Sequence, residues 1–406
     1  MAPAGSWDAL RAALKAGADS VYFGTGSLDM RSRAAHSFDI QDLKAIADEC
    51  GGQNVKTYLT LNTLVYDEDM ADMRALIDAA KHAGISAVIC SDAAAVTAAH
   101  KAGIPVHMST QANISNIEAV RFFSRYADVI VLARELSLDQ VQAICEAVEE
   151  QDIRGPSGSL VRIEVFVHGA LCVSIAGKCY MSLSLYGHSA NRGDCFQTCR
   201  RAFRVTDQDT GDELVIDNKY VMSPADICTI SIIDKLIGAG VSVLKIEGRG
   251  RAADYVYTVT RAYREAVDSV FDETYTPDKV SRLKERLRTV YNRGFWEKGY
   301  YLGKQLGQWS GAYGSQATEK KTYIGRPVKY FGKPGIALIK IESGYLEPGC
   351  TIVCTGPTTG YVRAEVTSMY EHDKPVGRAE KGSSITIPVP EKVRPSDKIF
   401  RIDKQE

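Results

Sequence analysis

The sequence predicts an α/β chain: a (β/α)8 TIM-like barrel carrying a cysteine-bearing insertion, followed by a small all-β barrel. Three observations predict it. Short β-branched runs alternate with longer amphipathic stretches over the first two-thirds, the pattern of βαβ units and a parallel sheet. Several of those stretches close on Ala-Gly (Ala16-Gly17, Ala83-Gly84, Ala102-Gly103), as helices do before the next strand. From Thr322 onward helical pattern nearly vanishes, and short alternating runs are separated by Gly and Pro turns.

The clear strand-like runs are residues 20–23, 55–59, 87–90, 106–108, 129–132, 163–167 and 243–246, with residues 1–3 as the remnant of an eighth. Eight strands would close a barrel of about 250 residues. Helical stretches at 6–15, 67–82, 93–101, 117–124 and 138–149 lie between them. An open doubly wound sheet is the alternative, but no Gly-x-Gly-x-x-Gly turn follows the first strand. Residues 169–225 break the alternation: a crowd of cysteines is followed by a β-hairpin, 202–205 with 213–216, around Asp-Thr-Gly. An insertion at the C-terminal end of a barrel strand lies on the face where barrel enzymes do their chemistry. Next come a helix at 254–269, a basic amphipathic helix at 277–291 and a Gly/Tyr/Gln-rich connector at 299–314. The last runs, at 323–328, 336–341, 351–353, 362–368 and 384–387, form the second barrel. The expected division is 1–275 for the TIM-like barrel, with its insertion at about 169–225, then 276–320 for the connector and 321–406 for the β-barrel.

With 406 residues, 45% apolar and 24% charged, the chain is neither disordered nor collagenous nor a coiled coil. No run approaches the ~20 apolar residues of a membrane span. The first residues lack a signal-peptide pattern, so a cytoplasmic protein is expected. Net charge is −1, so nucleic acid would need a local patch. Lys279, Arg282, Lys284, Arg286, Arg288 and Arg293 supply one, with Lys320, Lys321, Arg326 and Lys329 beyond it; a solvated helix face is the plainer reading.

Ten cysteines divide in two. Cys50, Cys90, Cys145, Cys350 and Cys354 are scattered and read as small buried hydrophobes. Cys172, Cys179, Cys195 and Cys199 crowd together as Cys-x6-Cys-x15-Cys-x3-Cys. Thiolates so grouped in a reducing compartment suit an iron–sulfur cluster, a zinc ion or plain packing; the missing Cys-x-x-Cys knuckles count against zinc. Cys228, at a helix start, could replace one of these four, but a buried helical cysteine is the plainer reading. Polar groups sit at the other strand ends: Arg31 and Arg33, Asn62, then Ser109, Thr110, Gln111 and Asn113, then Arg134 and Glu135, then Lys245, Glu247, Arg249 and Arg251. Together they place arginines and amides around one mouth, suited to a carboxylate or phosphate ligand. Glu164 and His168 lie on the strand leading to the cysteines. No His-Glu-x-x-His helix, Gly-x-Ser-x-Gly elbow or Walker loop occurs.

The run from Glu164 to Ser182, containing Cys172 and Cys179, resembles the signature of the U32 family, the collagenase-like peptidases. Phe23-Gly24 with Met30-Arg31, the run from Ser109 to Asn113, the run from Asn191 to Arg200 and Leu244-Lys245-Ile246-Glu247-Gly248-Arg249 resemble further landmarks of that family. Members usually carry several residues before Ala-Pro-Ala-Gly-Ser, so a late start of this chain is expected. The resemblance implies either peptidase activity or, as in members carrying a four-cysteine [4Fe-4S] cluster, oxygen-independent or prephenate-linked hydroxylation of a tRNA uridine, an rRNA cytidine or a quinone precursor. By motif position it makes Cys172, Cys179, Cys195 and Cys199 the cluster ligands, with zinc a possible replacement. The C-terminal β-barrel implies the tRNA or rRNA branch, with a small carboxylate such as prephenate as donor. The catalytic residues expected are Glu164, His168, Arg31, Lys245, Glu247 and Arg249; Ser109, Gln111, Asn113 and Arg134 would bind substrate. A cluster-bearing binding scaffold is the third reading.

Overall fold

The computed structural model describes residues 1–26, 28–31, 38–201, 203–216, 223–302, 309–310 and 314–405. Arg33, Ala202 and parts of the 299–314 connector lie outside them. Seven strands follow one another in sequence and in space: β1 (Ala2–Pro3), β2 (Ser20–Gly24), β3 (Lys56–Leu61), β4 (Ala87–Cys90), β5 (Val106–Met108), β6 (Val129–Val131) and β7 (Arg162–Gly169). Each pairs in parallel with the next. After the hairpin β8 (Phe203–Thr206) and β9 (Glu213–Ile216) come β10 (Asp226–Cys228) and β11 (Val243–Ile246), the latter parallel to β7. Met1 bridges the two ends of the parallel run: its ammonium donates to the Leu244 carbonyl at 2.8 Å, and the Ile246 amide donates to the Met1 carbonyl at 3.1 Å.

The helices between strands are α1 (Trp7–Lys15), α2 (Asp42–Gly51), α3 (Met70–Ala83), α4 (Ala93–Ala102), α5 (Ile117–Phe123) and α6 (Leu138–Glu150). Later ones are α7 (Met181–Tyr186), α8 (Ile233–Gly238), α9 (Ala253–Phe271) and α10 (Pro277–Arg288). Local chemistry sets their ends. Ser137 and Gln140 form a capping box at α6, Thr276 caps α10 ahead of Pro277, and Gly84 and Gly103 end α3 and α4 in the left-handed conformation.

Parallel strands covered by helices read as continuous apolar runs, and β2 is buried at every position. Alternate residues of the strands pack in a separate inner layer, Tyr22, Tyr58, Ala87 and Ile89 against Met1, distinct from the larger core under the helices. That inner space also holds His107, Glu164 and Lys245, all buried.

Two local expectations need correction. Cys228 lies in a strand, not at a helix start: β10 pairs antiparallel with the end of β7 and in parallel with β12 (Phe295–Glu297), a strand without a sequence signal. The basic helix ends at Arg288 rather than 291. The C-terminal part is an antiparallel sheet of eight strands with a two-stranded companion. Its Gly360–Glu365 strand packs on α1 and α9, where the rings of Tyr257 and Tyr361 stack 4.5 Å apart and Lys321 pairs with Asp254 at 2.6 Å. Among the described residues no helix is long and apolar enough to cross a membrane.

Candidate functional site

The C-terminal ends of the parallel strands surround a cavity of about 130 Å³, roofed by the cysteine loop. Arg31, Asn62, Ser109, Gln111, Arg134, Lys245, Glu247 and Arg249 line it, as do all four sulfur-bearing residues Cys172, Cys179, Cys195 and Cys199. The loop is held by side chains that make more than one bond each. Asn191 accepts from the Cys179 amide at 3.3 Å and donates to the Cys179 carbonyl at 3.2 Å. Arg200 donates to the carbonyls of Leu171 and Pro224 and to the Ser223 hydroxyl, tying both ends of the insertion together. Asn113 donates to the Ala176 carbonyl at 3.0 Å, so it positions the roof; it does not line the cavity. At Gly177, with φ +71°, a Cβ would sit 3.0 Å from that of Gln111, and only glycine suits both demands.

Charge in the cavity is unevenly paired. Lys245 donates to Glu164 at 2.7 Å, and Arg31 reaches Glu247 at 3.2 Å. Arg249 pairs with Asp29 and donates to the Thr60 hydroxyl at 2.6 Å. Gly24 makes room for this pair, because a Cβ there would strike the Asp29 carboxylate. Burial alone would raise the Glu247 carboxyl, but Arg31, Arg249, Arg134 and Lys245 outweigh it and hold the carboxyl below its usual range. Arg134 donates to the Ala170 carbonyl at 2.7 Å, its guanidinium lies 4.6 Å over the Phe166 ring, and it has no carboxylate partner among the described residues. The Nε atoms of Arg134 and Arg249 are buried without a hydrogen-bond partner. Four cations against Asp29, Glu164 and Glu247 leave one positive charge and two spare donors, the demand a small carboxylate meets.

His168 does not join this group. It lines no part of the cavity, and sits instead among the rings of Tyr255, Tyr263 and Phe295, with Nδ1 3.3 Å from the Tyr263 hydroxyl. The register shift at Lys245/Ile246 and the pairing of Cys228 with His168 place this end of β7 beneath α9. Burial, reinforced by the Arg251 charge, pushes the imidazole down to about 3. The unfolded chain binds that proton near pH ~6.5, the folded chain only near 3, so stability is complete above ~6.5 and declines as acid is added. His168→Phe is therefore expected to spare the protein about 2 kcal/mol of the stability it loses between pH 7 and 5. Urea unfolding of both forms at the two pH values measures this; equal losses would refute it.

Asp29, Thr60, Asn191 and Arg200 are structural members of the site to which no role had been given. Asn191 and Arg200 stand inside the run that carries the family signature; Asp29 and Thr60 have no local signal.

Among the described residues no three His, Cys, Asp or Glu side chains are grouped to hold one metal ion, although four thiols share the cavity. A single zinc at about 2.3 Å from each sulfur demands such a group. A multi-iron cluster seats each thiolate on a different iron and so spreads them. As placed, the four thiols share a cavity without being gathered round one point.

Parallel strand ends bearing an arginine-rich cavity under a four-cysteine loop define a class: an α/β protein with a cation-lined cavity beside clustered thiols. The chain belongs to peptidase family U32, whose family model matches residues 5–311. It is 54% identical to a collagenase of Porphyromonas gingivalis over 100% of this chain and 98% of that one. It is 36% identical to a 23S rRNA 5-hydroxycytidine synthase of Escherichia coli, over 67% of this chain and 40% of that protein. It is 31% identical to tRNA hydroxylation protein P1 of Bacillus subtilis, over 66% of this chain and 63% of that protein. These relatives are named as enzymes of two kinds.

Proposed function

We propose that this chain is an iron–sulfur-dependent RNA hydroxylation enzyme of the cytoplasm, acting at C5 of a tRNA wobble uridine or an rRNA cytidine with a small carboxylate of the prephenate kind as donor. The observation that carries the reading is the meeting of four thiols and two spare arginine donors in one cavity. In this reading the eight parallel strands close as a (β/α)8 barrel, supported by the two hydrogen bonds through Met1. Cys172, Cys179, Cys195 and Cys199 would hold a [4Fe-4S] cluster, which supplies the redox chemistry that side chains lack.

The chain's own residues bind and orient. Arg134 and Arg249 offer their free Nε donors to the donor carboxylate, and the Arg31–Glu247 pair sets the field between it and the thiols. Ser109 and Asn62 both donate to the Gln111 carbonyl oxygen, which fixes that amide to present its nitrogen to a base edge. A base reaches this depth only when flipped out of its stack.

The RNA-acting relatives match about two thirds of the chain, which supports the RNA reading. Full-length likeness to a collagenase favours a second reading as a peptidase. A peptidase needs an activated nucleophile, yet His168 is engaged by the Tyr263 phenol rather than by a serine, threonine or cysteine side chain. Mass spectrometry of tRNA and rRNA nucleosides from a deletion strain tests the choice. Loss of one 5-hydroxypyrimidine, restored by the gene, is expected; unchanged nucleosides with lost gelatin degradation would establish the peptidase.

A further inference from the structure

We infer that a second chamber, beside the cysteine loop, is a phosphate subsite centred on Arg251. This chamber of about 330 Å³ shares Arg31, Glu247 and three of the cysteines with the inner cavity, and adds Arg200, Arg251 and Arg293. Four arginines face it against one lining carboxylate, Glu247, which Arg31 already engages. Their hydrogen-bonding capacity differs. Arg200 is committed to three oxygens of the loop, at 2.6 to 2.8 Å. Arg293 has only long contacts, 3.5 Å to Asp226 and 3.4 Å to Gln197.

Arg251 enters no ion pair among the described residues. It is nevertheless held in place, because its guanidinium lies 3.5 Å over the ring of Tyr291, with that of Arg293 5.4 Å from the same ring. Two forks fixed on one aromatic ring leave donors pointing at whatever fills the chamber, and a phosphate accepts from several at once. The loops after neighbouring late strands are also where barrel folds commonly seat phosphate.

The positive track is short. Beyond Arg251 a third cavity, about 320 Å³, contains Lys321 and Arg363, but Asp254 and Glu319 neutralise them at 2.6 and 2.8 Å. The chamber thus takes one or two phosphates and no long backbone. Resting on the RNA reading, these are the phosphates flanking the base in the inner cavity; a free phosphate ester has the same chemistry and is the other source.

The test is a fluorescence titration of a labelled anticodon stem-loop RNA over a range of salt, with inorganic phosphate binding followed separately by calorimetry. For Arg251→Ala, RNA affinity is expected to fall about tenfold and the salt slope by about 1. Arg251→Lys keeps the charge and is expected to keep the slope. Unchanged thermal unfolding of both variants shows that the fold is intact. RNA binding with a slope indifferent to Arg251 overturns the subsite and leaves the RNA reading standing. Phosphate binding that depends on Arg251, with no RNA binding, keeps the subsite and overturns the RNA reading. If the arginines serve only as counter-charges to the thiols, neither ligand responds to Arg251, and the subsite falls.

Discussion

If the proposed cluster and activity are right, Cys195→Ser is expected to remove iron and the visible absorption from anaerobically prepared protein, and to lower hydroxylation at least about a hundredfold. The size follows from the hierarchy of a metal site: altering the groups that merely orient ligands costs about 10–100-fold, and a ligand itself costs no less. Serine is nearly isosteric with cysteine, but its hydroxyl stays protonated where a thiol ionises, so the fourth position is lost with little disturbance of the loop. Cys172→Ser, Cys179→Ser and Cys199→Ser are expected to behave alike, since all four residues line one cavity. Cys354→Ala is the control. That thiol is buried in the C-terminal sheet, and burial pushes it up to about 12. Its loss should cost stability but no iron. Full iron content and activity in the Cys195 variant would remove the basis of the cluster reading.

The fold was legible where local chemistry decides it. Gly84 and Gly103 mark helix ends because a left-handed residue is needed there, and β2 declares itself parallel by lacking polar alternation. The thiol quartet was legible as a group because it is close in sequence. What could not be read depends on register and on distant partners. Asp29 meets Thr60 and Arg249 from 31 and 220 positions away, and nothing in its own neighbourhood announces this. Strand alternation places His168 with Glu164, but a one-residue shift opposite it and an added antiparallel strand take the imidazole out of the cavity. Cys228 misleads in the same way: three residues after a proline look like a helix entrance, and become a strand only because β7 offers an edge.

Lys245→Met is expected to destabilise the protein by about 3–5 kcal/mol, because it strands the Glu164 carboxylate in the interior of the parallel sheet. The side chains of the pair are 5% and 0% exposed, so no water reaches the carboxylate to take over from the ammonium. His107 offers no rescue. Its Nδ1 lies 3.9 Å from Glu164 Oε2, both atoms lack hydrogen-bond partners, and burial followed by the Lys245 charge keeps the imidazole well below its ordinary pKa. Replacing both partners removes the stranded charge, so Glu164→Leu with Lys245→Met is expected to regain most of the lost stability. The inner layer around Tyr22, Tyr58 and Ile89 is already apolar enough to accept it. Urea unfolding of the single and double variants measures the difference. The double variant also separates architecture from chemistry, because Lys245 lines the cavity while Glu164 lies beneath it. A folded double variant without activity assigns the ammonium to the ligand; a folded double variant with full activity reduces the pair to a packing element. A single variant as stable as the parent would mean that the carboxylate is protonated or solvated in the folded chain, and the buried-pair account of this interior would be wrong.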